Sequence, residues 1–299
     1  MISSFLQKRR MKGWDTATCA DYAQAYQQFG GSVLSHPDVL QAIEAIVDLP
    51  IQYYAFEQAG KVQAVVPVWK KYIAGSKLAL KKLSKKGLVD FGNAELILPI
   101  SAKTQLELPL KADNLSQLHA ANISNSIPTN TAICLSKPHS DFSKKFRYNR
   151  KRELRLLEEQ GGEVKSIDKL SNDELVDTYI RLFELRWGFK PKAYQGLAEL
   201  LAHLRPLLFG SYIELEGRAI AFQLIYKAEC DSHISMEYVN GGVDPAFSAL
   251  SPGSVLTYIN TQQAWALSGS TAKNLRYSFG KADNEYKDRW CSQSAIYSV

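Results

Sequence analysis

The segment "GSYIELEGRAIAFQLIYKAECDSHISMEYVNGG", residues 210–242, constrains the fold more than any other part of the chain. Apolar and polar side chains alternate along it, with turn residues at Glu216-Gly217-Arg218 and around Glu229-Cys230-Asp231, which predicts three successive strands. Before it lie helical patterns. "SNDELVDTYIRLFELRW" opens with Ser171 and Glu174 at capping-box spacing and sets Leu175, Tyr179, Leu182 and Arg186 on one stripe, with Trp187 beside them. "AYQGLAELLAHLRPLL" reads as another helix, ended near Pro206. After it, "SALSPGS" breaks the pattern and introduces the helix "VLTYINTQQAWALSG". Strands near "NLRYSF" and "SQSAIYSV" follow. Strands and helices in this order predict an α/β (α+β) layer around a central mixed sheet.

The first half is similar in kind. A helix is expected over about Thr16–Gln28, stopped by Gly30-Gly31, and a second in "SHPDVLQAIEAIVDL" with Ser35 as N-cap and Pro37 in the first turn. "IQYYAFEQAGKVQAVVPVWKKYI" predicts a hairpin turning at Gln58–Lys61. "GSKLALKKLSKKGL" is lysine-rich and reads as a solvated loop or helix face, or a basic binding surface. "ELILPI" and "TAICL" look like strands and "NLSQLHAANI" like a helix. The composition changes at Lys137-Pro138-His139-Ser140, which divides the chain into expected domains 1–136 and 137–299.

Just past that boundary, "SKKFRYNRKRELRLLEEQGG" holds seven basic residues and one acid between Ser143 and Arg155, followed by Glu158 and Glu159. Its helix is basic at the N-terminal end and acidic at the C-terminal end, the reverse of what the helix dipole favours. Anion binding by Lys144, Arg147, Arg150 and Arg152 is one reason for such a pattern, and a solvated face is the other. "SPGS" offers a second anion site. Pro252 has no N–H and Gly253 permits close approach, so Ser251, Gly253 and Ser254 open a helix whose free N–H groups and dipole suit phosphate.

Near the end, "YSFGKADNEYKDRW" alternates aromatics with both signs of charge. Gly280 lets the chain leave its strand, Asp283 is a candidate cap, and Tyr286 and Trp290, four apart, are expected to pack inward together. Lys287 and Arg289 are then left to point toward a groove. On the strand "HISMEYVNGG", Glu237 and Tyr238 must face opposite sides, so only one reaches a given site. Glu237 is the candidate base, with an exposed strand carboxylate as the alternative.

These residues together resemble the FemAB-like and CelD-like branch of the GNAT acyltransferase superfamily. The resemblance rests on the arginine-rich helix, the S-P-G turn before a helix, and "EYKDRW" near the end. "QFGGSVLSHPDVL" further resembles the bacterial family of macrophage-induced, antimicrobial-peptide-resistance proteins within that branch. The resemblance implies two tandem GNAT-like domains. It also implies transfer of an acyl or aminoacyl group from acyl-CoA or aminoacyl-tRNA, as co-substrate, to an amine acceptor. Lys287 takes by resemblance the place of a cation that steadies a developing oxyanion, with Tyr286 beside it in the same catalytic element. Lys144, Arg147, Arg150 and Arg289 join the SPGS turn in holding the donor. One departure weakens the case for acetyl-CoA: where the superfamily carries Q/R-x-x-G-x-G/A, this chain reads "FSALSPGS", with Gly253 alone. The alternative is a non-catalytic protein that binds nucleic acid or anionic membrane through the same basic groove.

Other classes fare less well. Hydrophobic residues make up 45% and charged residues 22% of the 299, a balance that excludes long disorder. The net charge of +6 is modest, so its placement matters more than its size. Four scattered cysteines lack a CxxC, and Cys230 with His233 forms a lone C-x-x-H, so no metal is expected. No run approaches the roughly 18 apolar residues of a membrane span. "MISSFLQKRRMKGW" places basic residues after apolar ones and lacks a signal-peptide core. A cytoplasmic location is therefore expected, with peripheral contact on the inner face of the inner membrane as the resemblance implies. Phe5, Trp14 and Lys8-Arg9-Arg10 would suit such contact.

Overall fold

The structure, a computed structural model, describes residues 11–299. Phe5 and the Lys8–Arg10 run therefore lie outside the described residues. The strands form two sheets. The first has four antiparallel strands in chain order: β1 (Asp15–Ala17), β2 (Gln52–Gln58), β3 (Lys61–Trp69) and β4 (Tyr72–Ile73). The predicted β2–β3 hairpin turns on Ala59 and Gly60, both left-handed at φ 52° and 70°, the turn whose twist suits paired strands.

Helix α1 (Cys19–Phe29) starts later than the sequence suggested, because Thr18 and Asp21 close a reciprocal capping box there. Helix α2 (Pro37–Val47) is capped by His36 rather than Ser35, the imidazole accepting from the Asp38 N–H. Helix α3 (Lys77–Lys82) follows. "NLSQLHAANI" is not a helix. It supplies the two-residue β5 (Leu115–Ser116) and a short 3₁₀ turn, Gln117–His119. Side-chain bonds outweigh helical propensity here: buried His119 accepts from the Leu98 N–H at 2.8 Å and contacts Asn122 at 3.1 Å. "ELILPI" also forms no long strand; Leu96 and Ile100 make isolated bridges to Leu115 and Ala64.

The second sheet has eight strands. These are β5, β6 (Ile127–Ser136), β7 (Glu163–Ser166), β8 (Ser211–Leu215), β9 (Arg218–Glu229), β10 (His233–Val243), β11 (Asn274–Lys281) and β12 (Cys291–Ser298), in the order β5-β12-β6-β11-β10-β9-β8-β7. β8, β9 and β10 are the antiparallel run that the alternation predicted. β5 and β6, which precede Lys137, sit in this sheet beside strands from the end of the chain.

Four helices complete this half: α4 (Lys144–Glu159), α5 (Asn172–Trp187), α6 (Leu197–His203) and α7 (Pro252–Thr271). The pleat of β9 separates two faces. Phe222, Leu224 and Tyr226 join a core that includes Leu175, Tyr179 and Leu182 of α5. Gln223 and Ile225 meet α7 on the other side. α4 packs over α7, so the basic helix lies on the outside of the α7 layer. β10 and β11 run parallel because α7 carries the chain back across the sheet. Together the sheets and flanking helices make a mixed α/β fold.

Candidate active site

The parallel ladder between β10 and β11 runs from His233–Asn274 to Glu237–Ser278 and stops there. Beyond it β10 bulges between Tyr238 and Asn240, while β11 shifts register against β6 between Ser278 and Lys281. The strands part, and a cleft of about 340 Å³ opens at their carboxyl ends, the usual place for ligands in sheets with parallel strands.

α7 begins at the same place. Its N-cap, Ser251, is left-handed at φ 51° and no side chain caps the helix. Ser251, Gly253 and Ser254 all line the cleft. Gly253 has a packing role as well: a Cβ there would lie 3.1 Å from a Val243 methyl on β10, so glycine lets the first turn close on the strand.

A chain of buried polar groups fixes this turn. The Ser211 N–H donates to Asn260 Oδ1 (2.9 Å), Asn260 Nδ2 to Gln223 Oε1 (2.8 Å), Gln223 Nε2 to the Thr257 hydroxyl (2.8 Å), and that hydroxyl to the Gly253 carbonyl (2.8 Å). Each member satisfies the next, so polar groups at the bottom of the cleft are buried without penalty. Sequence reasoning missed Gln223, Thr257 and Asn260. The available signal was one amide, Gln223, inside the otherwise apolar run "AIAFQLIY".

Of the adjacent pair on β10, Tyr238 faces the cleft and Glu237 does not. The Tyr238 ring meets Phe279 edge-on at 5.3 Å. Its hydroxyl is placed among Gln223 and the Arg186 guanidinium; burial raises the phenol above the ordinary tyrosine value and Arg186 opposes that rise. Arg186, from the end of α5, also donates to the Gly241 carbonyl (3.4 Å) and lies over the Trp187 ring.

Glu237 is fully buried on the opposite side, where Oε1 accepts from the Glu95 N–H at 2.7 Å. Burial pushes its carboxyl well above the usual range, against the pull of Ser278. Glu95 in turn holds Arg276 through a two-pronged ion pair, its Oε2 accepting from Arg276 Nε at 2.8 Å. The Glu237 side chain is a link between the two halves of the chain and does not line the cleft.

The C-terminal loop divides similarly. Trp290 is buried against Phe142 and Phe146, while Tyr286 is 41% exposed and lines the cleft, so the two rings do not pack together as expected. The 3₁₀ turn Glu285–Arg289 is too tight for an i,i+4 pair to share a face. Burial raises the Tyr286 phenol and Arg186 again opposes it. Lys287 turns inward and is 8% exposed: its ammonium donates to the Lys281 carbonyl (2.6 Å) and to Asp283 (2.8 Å). Asp283, expected as a cap, is thus the lysine's partner, and the hydrogen bond holds its carboxyl below the usual range. Arg289 is exposed and outside the cleft.

On α4, Arg147 is committed to the carbonyls of His139 (3.2 Å) and Phe142, and Arg150 pairs with Glu153 at 2.7 Å and lies over Phe146. Lys144 is exposed, with Lys145, Lys151 and Arg152. Phe146 packs edge-on against Trp290 at 5.2 Å, which joins the basic helix to the cleft wall. Structure thus brings together Ser251, Gly253, Ser254 and Tyr286, with α4 adjoining them, and leaves Glu237, Lys287 and Arg289 outside.

Cys230 and His233 touch at 3.4 Å in a buried corner where His233 also bonds the Gly31 carbonyl. Burial pushes the thiol up, but the imidazole outweighs it and brings Cys230 down to about 6. Among the described residues no group of three or more His, Cys, Asp or Glu side chains is arranged to hold a metal, and no helix is long and apolar enough to cross a membrane.

The fold is similar to that of FemX, with a TM-score of 0.53 at 10% identity over 95% of this chain and 96% of that one. It is similar also to the C-terminal domain of a putative lysylphosphatidylglycerol synthetase from Agrobacterium fabrum, with a TM-score of 0.50 at 10% identity over 94% and 92%. At such identities the likeness is one of fold. A search of curated proteins finds no match by sequence. The Mig-14 family profile, by contrast, matches residues 36–299, nearly the whole chain, and agrees with the resemblance read from its motifs. The chain belongs to the Mig-14 family.

Proposed function

We propose that this protein transfers an acyl or aminoacyl group to an amine in the cleft between β10 and β11. The observation that carries this reading is the meeting, at one splayed parallel pair, of an uncapped helix N-terminus with a half-buried tyrosine and an arginine. The helix end and the hydroxyls of Ser251 and Ser254 suit a phosphate of the donor. An amine attacking the donor's acyl carbonyl forms a C–N bond and a tetrahedral oxyanion. Arg186 and the Tyr238 hydroxyl supply positive charge and a hydrogen bond there. Collapse breaks the C–S bond of a thioester or the C–O bond of an aminoacyl ester. Tyr238, kept protonated by burial, gives its proton to the leaving group, and the amine's proton passes to water.

Aminoacyl-tRNA is the donor favoured here over acyl-CoA. The chain lacks the superfamily's glycine-rich phosphate loop, and exposed Lys144, Lys145, Lys151 and Arg152 stand beside the cleft wall where a nucleic-acid backbone would lie. Lys287 acts in this reading as a brace for the Tyr286 loop. Resistance to cationic antimicrobial peptides and a peripheral position at the inner membrane follow from the family resemblance and belong to the same proposal.

A thermal-shift screen with acyl-CoAs and with charged and uncharged tRNA, followed by single-turnover transfer from the best donor, tests it. One donor should stabilise the protein at both low and high salt, and Tyr238→Phe should bind that donor normally while transferring slowly. Equal stabilisation by every polyanion, abolished by salt, would leave a basic binding module instead.

A further inference from the structure

A second cavity, of about 110 Å³, shares no lining residue with the cleft. Its Phe91 lies 5.3 Å from the Tyr226 ring, so it sits on the α5 side of the sheet, away from α7. Gly92 of this cavity packs against Val239, the residue after Tyr238. Leu34, Leu80, Val89, Phe91 and Ala94 give it an apolar floor.

Both signs of charge surround that floor. Lys77, Lys81 and Lys86, from the stretch "GSKLALKKLSKKGL", line the cavity with Lys192, and so do Asp90 and Asp113. Opposite charges in one cavity are expected to pair, yet none of these six forms an ion pair among the described residues. Lys77 donates instead to the Gly92 carbonyl (3.0 Å) and to Asn93 Oδ1 (2.8 Å). Asp90 accepts from the Gly92 N–H at 2.8 Å, and Asp113 from the Leu78 N–H at 3.4 Å. Burial raises the Asp113 carboxyl above the usual range, against the pull of the Leu78 N–H.

Asn114 is an independent sign of a ligand. It lines the cavity, is only 9% exposed and has a left-handed backbone at φ 56°. Its carbonyl accepts from the Leu96 N–H (2.9 Å), but among the described residues its side-chain amide has no hydrogen-bond partner. A buried amide left unpaired is destabilising, and a polar group of a ligand removes that cost.

We infer that this cavity binds a free α-amino acid with a small aliphatic side chain. The side chain lies on the apolar floor, the ammonium meets Asp90 and Asp113, and the carboxylate meets the unpaired lysines. The Asn114 amide can serve either end, since it both donates and accepts. A ligand with one charge would match half of this lining, whereas a zwitterion matches all of it. The volume is below the roughly 150 Å³ that accommodates benzene in an engineered core cavity. It therefore suits the side chain of valine or leucine and excludes that of tryptophan. The inference stands apart from the transfer reading, since both the site and its ligand are different.

Calorimetric titration of the full chain with L-leucine tests it. The comparison probes are L-tryptophan, isoamylamine and isocaproate; the last two keep the leucine side chain and lack one charge each. Leucine should bind at least about tenfold more tightly than any of them, because each missing charge removes a charge-assisted hydrogen bond. Asp113→Asn keeps the size and the bond to Leu78. It should weaken leucine by about tenfold and leave isocaproate no weaker. The triple variant Lys81→Met, Lys86→Met, Lys192→Met, at exposed positions, should weaken leucine similarly and leave isoamylamine unchanged. Unchanged melting temperatures would show that the variants fold, and if Asp113→Asn melts early the lysine variant decides. Absence of leucine binding, equal binding of tryptophan or of either single-charge probe, or leucine affinity kept by the lysine variant would overturn the inference.

Discussion

Glu237 and Tyr238 are neighbours on one strand and have opposite surroundings. Glu237 is sealed between the halves of the chain, its carboxyl pushed well above the usual range by burial and its oxygen bound to the Glu95 N–H. Tyr238 presents its hydroxyl to a cleft with an arginine and a helix end. Both are perturbed upward by desolvation, so perturbation alone does not separate a working group from a structural one. The direction each side chain faces does. A titratable group acts on substrate only when it also reaches open space.

Substitution offers a sharp way to break this comparison. Tyr238→Phe should lower kcat/KM for transfer by about 10²- to 10⁴-fold with little change in melting temperature, while Glu237→Gln should keep nearly full activity. If the two results were exchanged, the strand would face the cleft the other way.

The sealed side should respond in stability instead. Glu95→Ala leaves the Arg276 guanidinium, partly buried, without its partner, and should cost about 3–5 kcal/mol in a urea titration. On the cleft side, Gln223→Leu interrupts the polar chain and strands Asn260 and Thr257, at about 1–3 kcal/mol.

The two sides should differ in pH response too. Because the folded carboxyl of Glu237 titrates above its unfolded value, the folded state holds the proton more tightly. Its contribution to stability is full below about pH 4 and is lost as pH rises. Unfolding free energy measured from pH 4 to pH 8 should therefore fall less steeply in Glu237→Gln.

The smallest effect is expected at Lys287. As a loop brace paired to the exposed Asp283, its replacement by Ala should change kcat/KM by less than about tenfold, whereas loss of an oxyanion donor costs about 10²- to 10³-fold.

Much of the frame was legible in the sequence, because local rules decided it. Ser171 and Glu174 do form the capping box that opens α5, and the strand alternation, the 58–61 turn and the helix after SPG appear where expected. Other parts depended on distant partners. Alternation showed that Glu237 and Tyr238 face apart, but only Glu95, 142 residues away in sequence, determines which side is sealed. Lys287 looked free because its partners, Asp283 and the Lys281 carbonyl, become visible only once the loop tightens into a 3₁₀ turn. The Gln223–Asn260 network escaped because uncharged amides carry no charge pattern to read.

The central claim is that a donor phosphate meets the start of α7, and Ser254→Glu tests it most directly. An acid in the first turn favours the helix dipole, so the fold should be unharmed or slightly stabilised, while the added charge repels a phosphate. Donor affinity, measured by calorimetry on the wild-type and variant proteins, should fall at least tenfold with no loss of melting temperature. Unchanged affinity would place the donor elsewhere and contradict the account.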